Sequence, residues 1–200
     1  MRKDTFFKNS FFLTASNITT GILGFIFSMY LGNIAGPEGL AVYGLVMPVY
    51  NLFICLMTAG IIAAISQRSA IYESTGEYNN LFKTINTVAF FNIIWSIIIG
   101  ILVFFLAPYI SKYGIKDPRT LNAIRVTCPA MVFIALSNIL KGFFYGTSRI
   151  TVPAIIDISE KAMRIITITL LIFIFKAQTL SSIVTLAFVS LAIGELQSLL

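Results

Sequence analysis

The feature that most constrains this chain is a series of stretches, each about 20 residues long, that are apolar around the whole circumference of a helix. A core helix of a water-soluble protein has a single apolar stripe instead. As an α-helix, a stretch of this length crosses about 30 Å of hydrocarbon. Because 58% of the residues are hydrophobic and only 11% are charged, the sequence excludes a water-soluble fold and predicts an all-α integral membrane protein.

Turn-forming and charged residues divide the sequence into six predicted spans, which together form one transmembrane domain over residues 1–200. The turn Gly36-Pro37-Glu38-Gly39 ends the first span, and charged connections follow the second and the third. The sixth span is still apolar at Leu200 and has no polar or basic flank, so we expect this chain to be part of a longer product. The predicted spans are residues 11–31, 40–65, 85–107, 121–140, 153–175 and 180–200.

Lysine and arginine residues in the connections predict the orientation in the membrane. With six spans, the side that holds the N-terminus has seven of them and the opposite side has five, which favours a cytoplasmic N-terminus. These basic residues are scattered singly and form no basic face, so we expect membrane lipids and not nucleic acid as partners. The seven are Arg2, Lys3, Lys8, Arg68, Lys83, Lys141 and Arg149; the five are Lys112, Lys116, Arg119, Arg125 and Lys176.

The inventory of reactive side chains argues against catalysis. The chain has no histidine, and its two cysteines, Cys55 and Cys128, lie inside apolar stretches. The usual zinc and iron–sulfur ligand sets cannot be assembled from these residues. The acidic residues occur singly or beside basic ones, without the spacing of a metal site. We therefore predict no cofactor, no metal and no enzymatic activity.

Four charged residues in the fifth predicted span form a stripe on one helix face, because they occur at positions i, i+3, i+4 and i+7. They are Asp157, Glu160, Lys161 and Arg164. A charge at this depth costs at least about 2.5–3.5 kcal/mol, so the stripe should face the bundle interior or a wet cavity. Pairs at i and i+4, Asp157 with Lys161 and Glu160 with Arg164, could neutralise it and only fix the helix packing. The alternative is a polar translocation cavity in which Arg164 and Lys161 meet a phosphate.

The first predicted span carries a seam of small and polar residues, spaced by four and three positions, that includes Asn17. Such a seam either packs helices closely or lines a substrate path, where Asn17 could form hydrogen bonds between helices. In the sixth span, Glu195 is a further candidate for a charge inside the membrane. The seam consists of Ser10, Thr14, Asn17, Gly21, Gly24 and Ser28.

Two blocks of short motifs carry a resemblance to a known family. The first block holds Leu31-Gly32, Gly36-Pro37-Glu38-Gly39-Leu40, Tyr43, Pro48-Val49-Tyr50, Gly60 and Ala64-Ile65-Ser66; the second holds Ile124-Arg125, Pro129, Lys141-Gly142-Phe143-Phe144-Tyr145-Gly146, Pro153-Ala154, Glu160 and Arg164. In order and spacing this pattern resembles the stage V sporulation protein B group of polysaccharide flippases. That group belongs to the multidrug/oligosaccharidyl-lipid/polysaccharide exporter superfamily.

The resemblance implies a transporter of two six-helix lobes that rock against each other around a central cavity. This chain would be the first lobe of a flippase for a lipid-linked glycan in the bacterial cytoplasmic membrane. It would then need a second lobe, a second copy or another partner. Two alternatives stay open: half of a cation-coupled multidrug exporter, and a membrane protein that does not transport, such as a truncated remnant.

Overall fold

The structure, a computed structural model, describes residues 2–58, 60–177 and 179–199, with the side chains of residues 2–6 and 8 left aside. Every regular element in these ranges is helical. A π-helical turn at Ile110–Ile115 and a short 3₁₀ turn at Pro118–Thr120 connect the third helix to the fourth. The α-helices are α1 (Arg2–Thr58), α2 (Ile61–Thr75), α3 (Tyr78–Tyr109), α4 (Leu121–Gly146), α5 (Thr151–Phe175) and α6 (Leu180–Gln197).

Helix α1 folds back on itself at Gly36. The backbone there has φ 70° and ψ 177°, outside the helical region and accessible at little cost to glycine. The rings of Phe27 and Tyr43, 16 positions apart, have centroids only 5.9 Å from each other. In a straight helix that separation would be about 24 Å. The two arms of α1 are therefore antiparallel, and the predicted turn is concentrated in one residue.

The second predicted span differs from the structure. Helix α1 ends at Thr58, and a left-handed Gly60 with φ 76° precedes α2. Helix α2 then continues to Thr75, through a region that the sequence predicted to be a polar connection. The helical hydrogen bonds extend past the apolar residues because no proline or glycine interrupts the chain between Ile61 and Thr75.

The prediction of six spans needs correction. Within the described residues, four segments are long and apolar enough to cross a membrane: Asn9–Thr75, Tyr78–Ile115, Pro118–Gly146 and Leu180–Gln197. Two predicted spans fall inside the first segment, which folds back at Gly36. Helix α5 is not among the four because its charged residues lie close together in the middle of the helix.

Helix α4 lies at the centre of the bundle and packs against α1, α2, α3 and α6. Its buried residues include Ile124 and Met131, which belong to one hydrophobic core with Leu31, Val46 and Phe188. Helix α5 packs along the first arm of α1, where the Ser16 hydroxyl donates a hydrogen bond of 3.1 Å to the Ala154 carbonyl. This contact orders the helix that carries the charges.

A surface ion pair joins the turn of α1 to the connection between α3 and α4. The Arg119 guanidinium lies 3.1 Å from the Glu38 carboxylate and 2.9 Å from the Asp117 carboxylate. The hydrogen bonds from Arg119 hold the pKa of Asp117 below its usual value. We call these three residues the turn clasp.

Candidate functional site

Helix α5 buries the middle of its charged stripe. Glu160 is 3% exposed and Arg164 is 7% exposed, whereas Asp157 and Lys161 are half-buried. Further buried residues follow at helical spacing, up to Thr167 and Ile168. One face of α5 therefore points inward along the helix. Two charged side chains thus lie inside the bundle and away from the lipid-facing surface.

The ion pairs differ from those predicted along α5. Lys141 of α4 lies 2.6 Å from the Asp157 carboxylate. Lys161 lies 2.8 Å from the carboxylate of its neighbour Glu160. The predicted pairs at i and i+4 are wrong because α4 supplies a basic residue from outside the helix, and because Arg164 finds other partners.

Arg164 is held by aromatic residues. Its Nη2 donates a hydrogen bond of 2.5 Å to the Tyr43 hydroxyl, and its guanidinium lies 4.2 Å from the centre of the Phe27 ring. Tyr43 stacks on Phe188 of α6 with centroids 5.0 Å apart. A desolvated cation–π contact contributes about 2 kcal/mol, which offsets part of the cost of burying the charge.

This arrangement leaves Arg164 with unused binding capacity. No acidic side chain in the described part of the chain forms an ion pair with it. Its Nε is buried and has no hydrogen-bond partner. Arginine presents five donors in a planar fork that matches phosphate and carboxylate oxygens. An anionic group that reached Arg164 would therefore find free donors.

Two acidic side chains, Glu160 and Glu195, lie where α5 meets α6. A Cβ added to Gly194 would lie 3.4 Å from the main-chain oxygen of Glu160, so the two helices approach closely at this point. Next to that glycine, Glu195 is 3% exposed, and its Oε2 has no partner. The sequence made Glu195 a candidate for a charge inside the membrane, and in the structure its side chain is buried.

We call these six residues the α5 charge cluster: Lys141, Asp157, Glu160, Lys161, Arg164 and Glu195. It contains three basic and three acidic groups. The buried hydroxyl of Tyr50 likewise has no hydrogen-bond partner. The cluster therefore offers both a free cationic donor and free acceptors to a polar molecule. No group of three or more metal-binding side chains is present among the described residues.

Asn17 lies apart from this cluster. It is exposed on the first arm of α1, ten positions and about 15 Å before Phe27. The neighbouring Ser16 is the residue that faces α5. A Cβ at Gly21 or Gly24 would meet nothing within 4 Å. Within the described residues Asn17 is exposed and the Cβ positions at Gly21 and Gly24 are open, and both predicted roles of the α1 seam stay predictions.

Sequence reasoning missed the three residues that organise the cluster. Phe27 and Tyr43 become partners only because α1 folds back at Gly36, which places residues at similar distances on either side of the turn next to each other. Lys141 was assigned to a connection, but α4 continues to Gly146 and carries it inside the bundle. The turn motif at Gly36 was the available signal for the aromatic partners.

The sequence of this chain is similar to those of two Bacillus subtilis proteins. The stage V sporulation protein B of Bacillus subtilis (strain 168) is 28% identical over 200 residues, which is 100% of this chain and 39% of that protein. The lipid II flippase MurJ of the same strain is 24% identical over 167 residues, covering 80% of this chain and 31% of MurJ. The chain thus spans well under half the length of these relatives. No solved structure matches it significantly.

A family model described as polysaccharide biosynthesis protein matches residues 6–200. This range includes the turn at Gly36, the aromatic partners of Arg164 and the whole α5 charge cluster. The match covers nearly all of the sequence, and the two Bacillus subtilis proteins are similar to 100% and 80% of the chain. The chain therefore belongs to the polysaccharide biosynthesis protein family of membrane proteins.

Proposed function

We propose that this chain is one lobe of a flippase that moves a lipid-linked glycan from the cytoplasmic to the outer leaflet of the bacterial cytoplasmic membrane. The observation that carries the proposal is Arg164, a buried arginine with free donors and no carboxylate partner among the described residues. A lipid-linked glycan carries phosphate between its lipid and its sugar. Arg164 would bind that phosphate with charge-assisted hydrogen bonds.

The other cluster residues have complementary roles in this proposal. Glu160 and Glu195 would accept hydrogen bonds from sugar hydroxyls, and Lys161 would add a second positive charge for the phosphate. The ion pair of Lys141 with Asp157 would hold α4 and α5 together while the substrate passes. The α1 seam, which includes Asn17, would line the entrance to the cavity through which the substrate passes.

A lobe needs an opposing surface in order to alternate between inward-open and outward-open states. A second lobe, or a second copy of this chain, would face the α1 seam. The N-terminus would lie in the cytoplasm, as the distribution of lysine and arginine predicts. In this arrangement α5 crosses the bilayer with its charged face turned toward the neighbouring helices, which shield its charges.

Translocation by the complete protein tests the proposal. The protein is purified from its native membranes and reconstituted in vesicles with a polyprenyl-pyrophosphate-linked glycan that carries a fluorophore. A membrane-impermeant quencher then reports the leaflet that holds the glycan. We expect Arg164→Gln to slow translocation by roughly 10- to 100-fold, because it removes charge-assisted hydrogen bonds of about 1.5–3 kcal/mol.

Two matched variants sharpen this assay. Arg164→Lys keeps the charge and should retain part of the rate, whereas Lys176→Gln removes an exposed charge at the end of α5 and should leave the rate unchanged. Failure of the wild-type protein to bind or translocate the lipid would refute the proposal. Wild-type rates in Arg164→Gln would refute the role of Arg164 and leave translocation to other residues of the protein.

The acidic part of the cluster supports a second candidate, a cation-coupled exporter of small drugs. Glu160 and Glu195 lie in adjacent turns of packed helices, where a buried carboxylate could take up a proton or another cation during transport. Drug efflux that collapses together with the ion gradient, in cells expressing the complete protein, would favour this function over the flippase.

A further inference from the structure

A depression in the bundle is lined by none of the residues of the α5 charge cluster. A groove of about 450 Å³ opens between α3, α4 and α6 toward the outside of the bundle. A neighbouring hollow of about 290 Å³ between α3 and α4 shares Phe104 and Pro129 with it. The two are therefore adjacent on the same part of the bundle surface. The groove is lined by Phe104, Arg125, Pro129, Phe133, Val189 and Ile193, among others.

Arg125 is the one charged residue of this lining. Its guanidinium lies 5.1 Å from the centre of the Phe104 ring, and its Nε is buried without a hydrogen-bond partner. No acidic side chain among the described residues pairs with it, whereas Arg119 nearby binds two carboxylates. An arginine in apolar surroundings is costly unless an anion compensates it. Arg125 would therefore be compensated by an anionic group that enters the groove.

The depth of Arg125 fits the headgroup of a lipid. It lies four positions after the start of α4 at Leu121, which is about 6 Å along the helix axis. From there the apolar walls continue past Pro129 to Phe133, about 12 Å further toward the middle of the helix. A cation near the end of a span, followed by an apolar channel, matches a phosphate with an acyl chain below it.

We propose that an anionic phospholipid of the surrounding bilayer occupies this groove, with its phosphate on Arg125 and one acyl chain along Phe104, Pro129 and Phe133. The outer face of α3 supports this occupant, because large apolar side chains such as Phe105, which is 70% exposed, are suited to acyl chains. The site is separate from Arg164 and does not depend on the flippase proposal. The lipid would hold α3 and α6 against α4.

Native mass spectrometry of the complete purified protein tests this site. The protein is released from detergent after equilibration with phosphatidylglycerol or with phosphatidylcholine of the same acyl chains. We expect the wild-type protein to retain one phosphatidylglycerol with about tenfold preference over phosphatidylcholine, and Arg125→Gln to reduce that preference to less than about twofold. Arg125→Lys should keep it in part, and Lys176→Gln should keep it fully.

A second variant guards against a folding defect in Arg125→Gln. Ile193→Trp fills the groove while it leaves the arginine in place, and it should reduce the binding of phosphatidylglycerol with helix content unchanged by circular dichroism. Inorganic phosphate at millimolar concentration should not displace the lipid, because it lacks the acyl chain. Equal retention of the two lipids by the wild type would overturn the proposal. Full retention of phosphatidylglycerol by both Arg125→Gln and Ile193→Trp would also overturn the proposal. Displacement of the lipid by inorganic phosphate would overturn it as well.

Discussion

Two exposed faces of the described bundle differ in chemistry. The outer face of α3 consists of large apolar side chains, such as Phe90 and Phe91, each 68% exposed. The α1 seam instead carries the exposed Asn17 and two glycines whose Cβ positions meet nothing within 4 Å. Exposure alone therefore does not identify a lipid-facing surface. Composition separates a face suited to lipid from one suited to a polar passage or another protein surface.

The largest expected effect comes from placing the same charge on each face. Phe91→Lys puts an ammonium group among lipid chains, which costs about 2.5–3.5 kcal/mol on insertion scales. We expect much less inserted and folded protein for this variant. Asn17→Lys should be tolerated much better, because the proposed surroundings of the α1 seam are wet. Folded yield from membranes, measured by size-exclusion chromatography in detergent, compares the two, and equal losses would remove the distinction between the faces.

A smaller effect distinguishes a packed glycine from a free one. A Cβ at Gly146 would collide with the Ser66 carbonyl and would lie 2.6 Å from the Ser69 Cβ, so α2 and α4 have no room for it. Gly146→Ala should therefore destabilise the protein by about 1–3 kcal/mol. Gly21→Ala should be neutral or slightly stabilising, because alanine favours helix by up to about 1 kcal/mol. Thermal unfolding in detergent measures both, and a comparable loss at Gly21 would show that the α1 seam is packed.

The smallest effect concerns the turn clasp, which joins the turn of α1 to the connection between α3 and α4. Arg119 lowers the pKa of Asp117, so the clasp contributes stability above the unfolded pKa of about 4 and loses it as the pH falls through the folded value. Asp117→Asn should lower Tm by less than about 3 °C at pH 7. At pH 3 the difference between the variant and the wild type should shrink, and a difference independent of pH would contradict this account.

The sequence predicted the membrane class and the charged stripe, because both depend on local information. Apolar length identifies helices that can cross a membrane, and helical periodicity places Glu160 and Arg164 on one face. The ion pairs were beyond such reasoning, since Lys141 reaches Asp157 from another helix. The aromatic partners of Arg164 required the knowledge that α1 reverses sharply at Gly36.

The number of membrane spans could not be predicted from the lengths of the apolar stretches alone. The sequence prediction counted α5 and the two arms of α1 as separate spans, whereas four segments of the described chain are long and apolar enough to cross a membrane. Only tertiary contacts, such as that between Phe27 and Tyr43, show the reversal. The local pattern predicted that the charged face of α5 lies inside the bundle, but the helices that bury it are known only from the tertiary contacts.

Water accessibility of the two free faces tests the central claim most directly. In a background with Cys55→Ser and Cys128→Ala, single cysteines replace Asn17 on α1 or Phe91 on α3, and the complete protein in native membranes is treated with a membrane-impermeant maleimide. We predict that the cysteine at position 17 is labelled rapidly and that the one at position 91 is protected. Equal labelling, or faster labelling at position 91, would contradict a polar passage along the α1 seam.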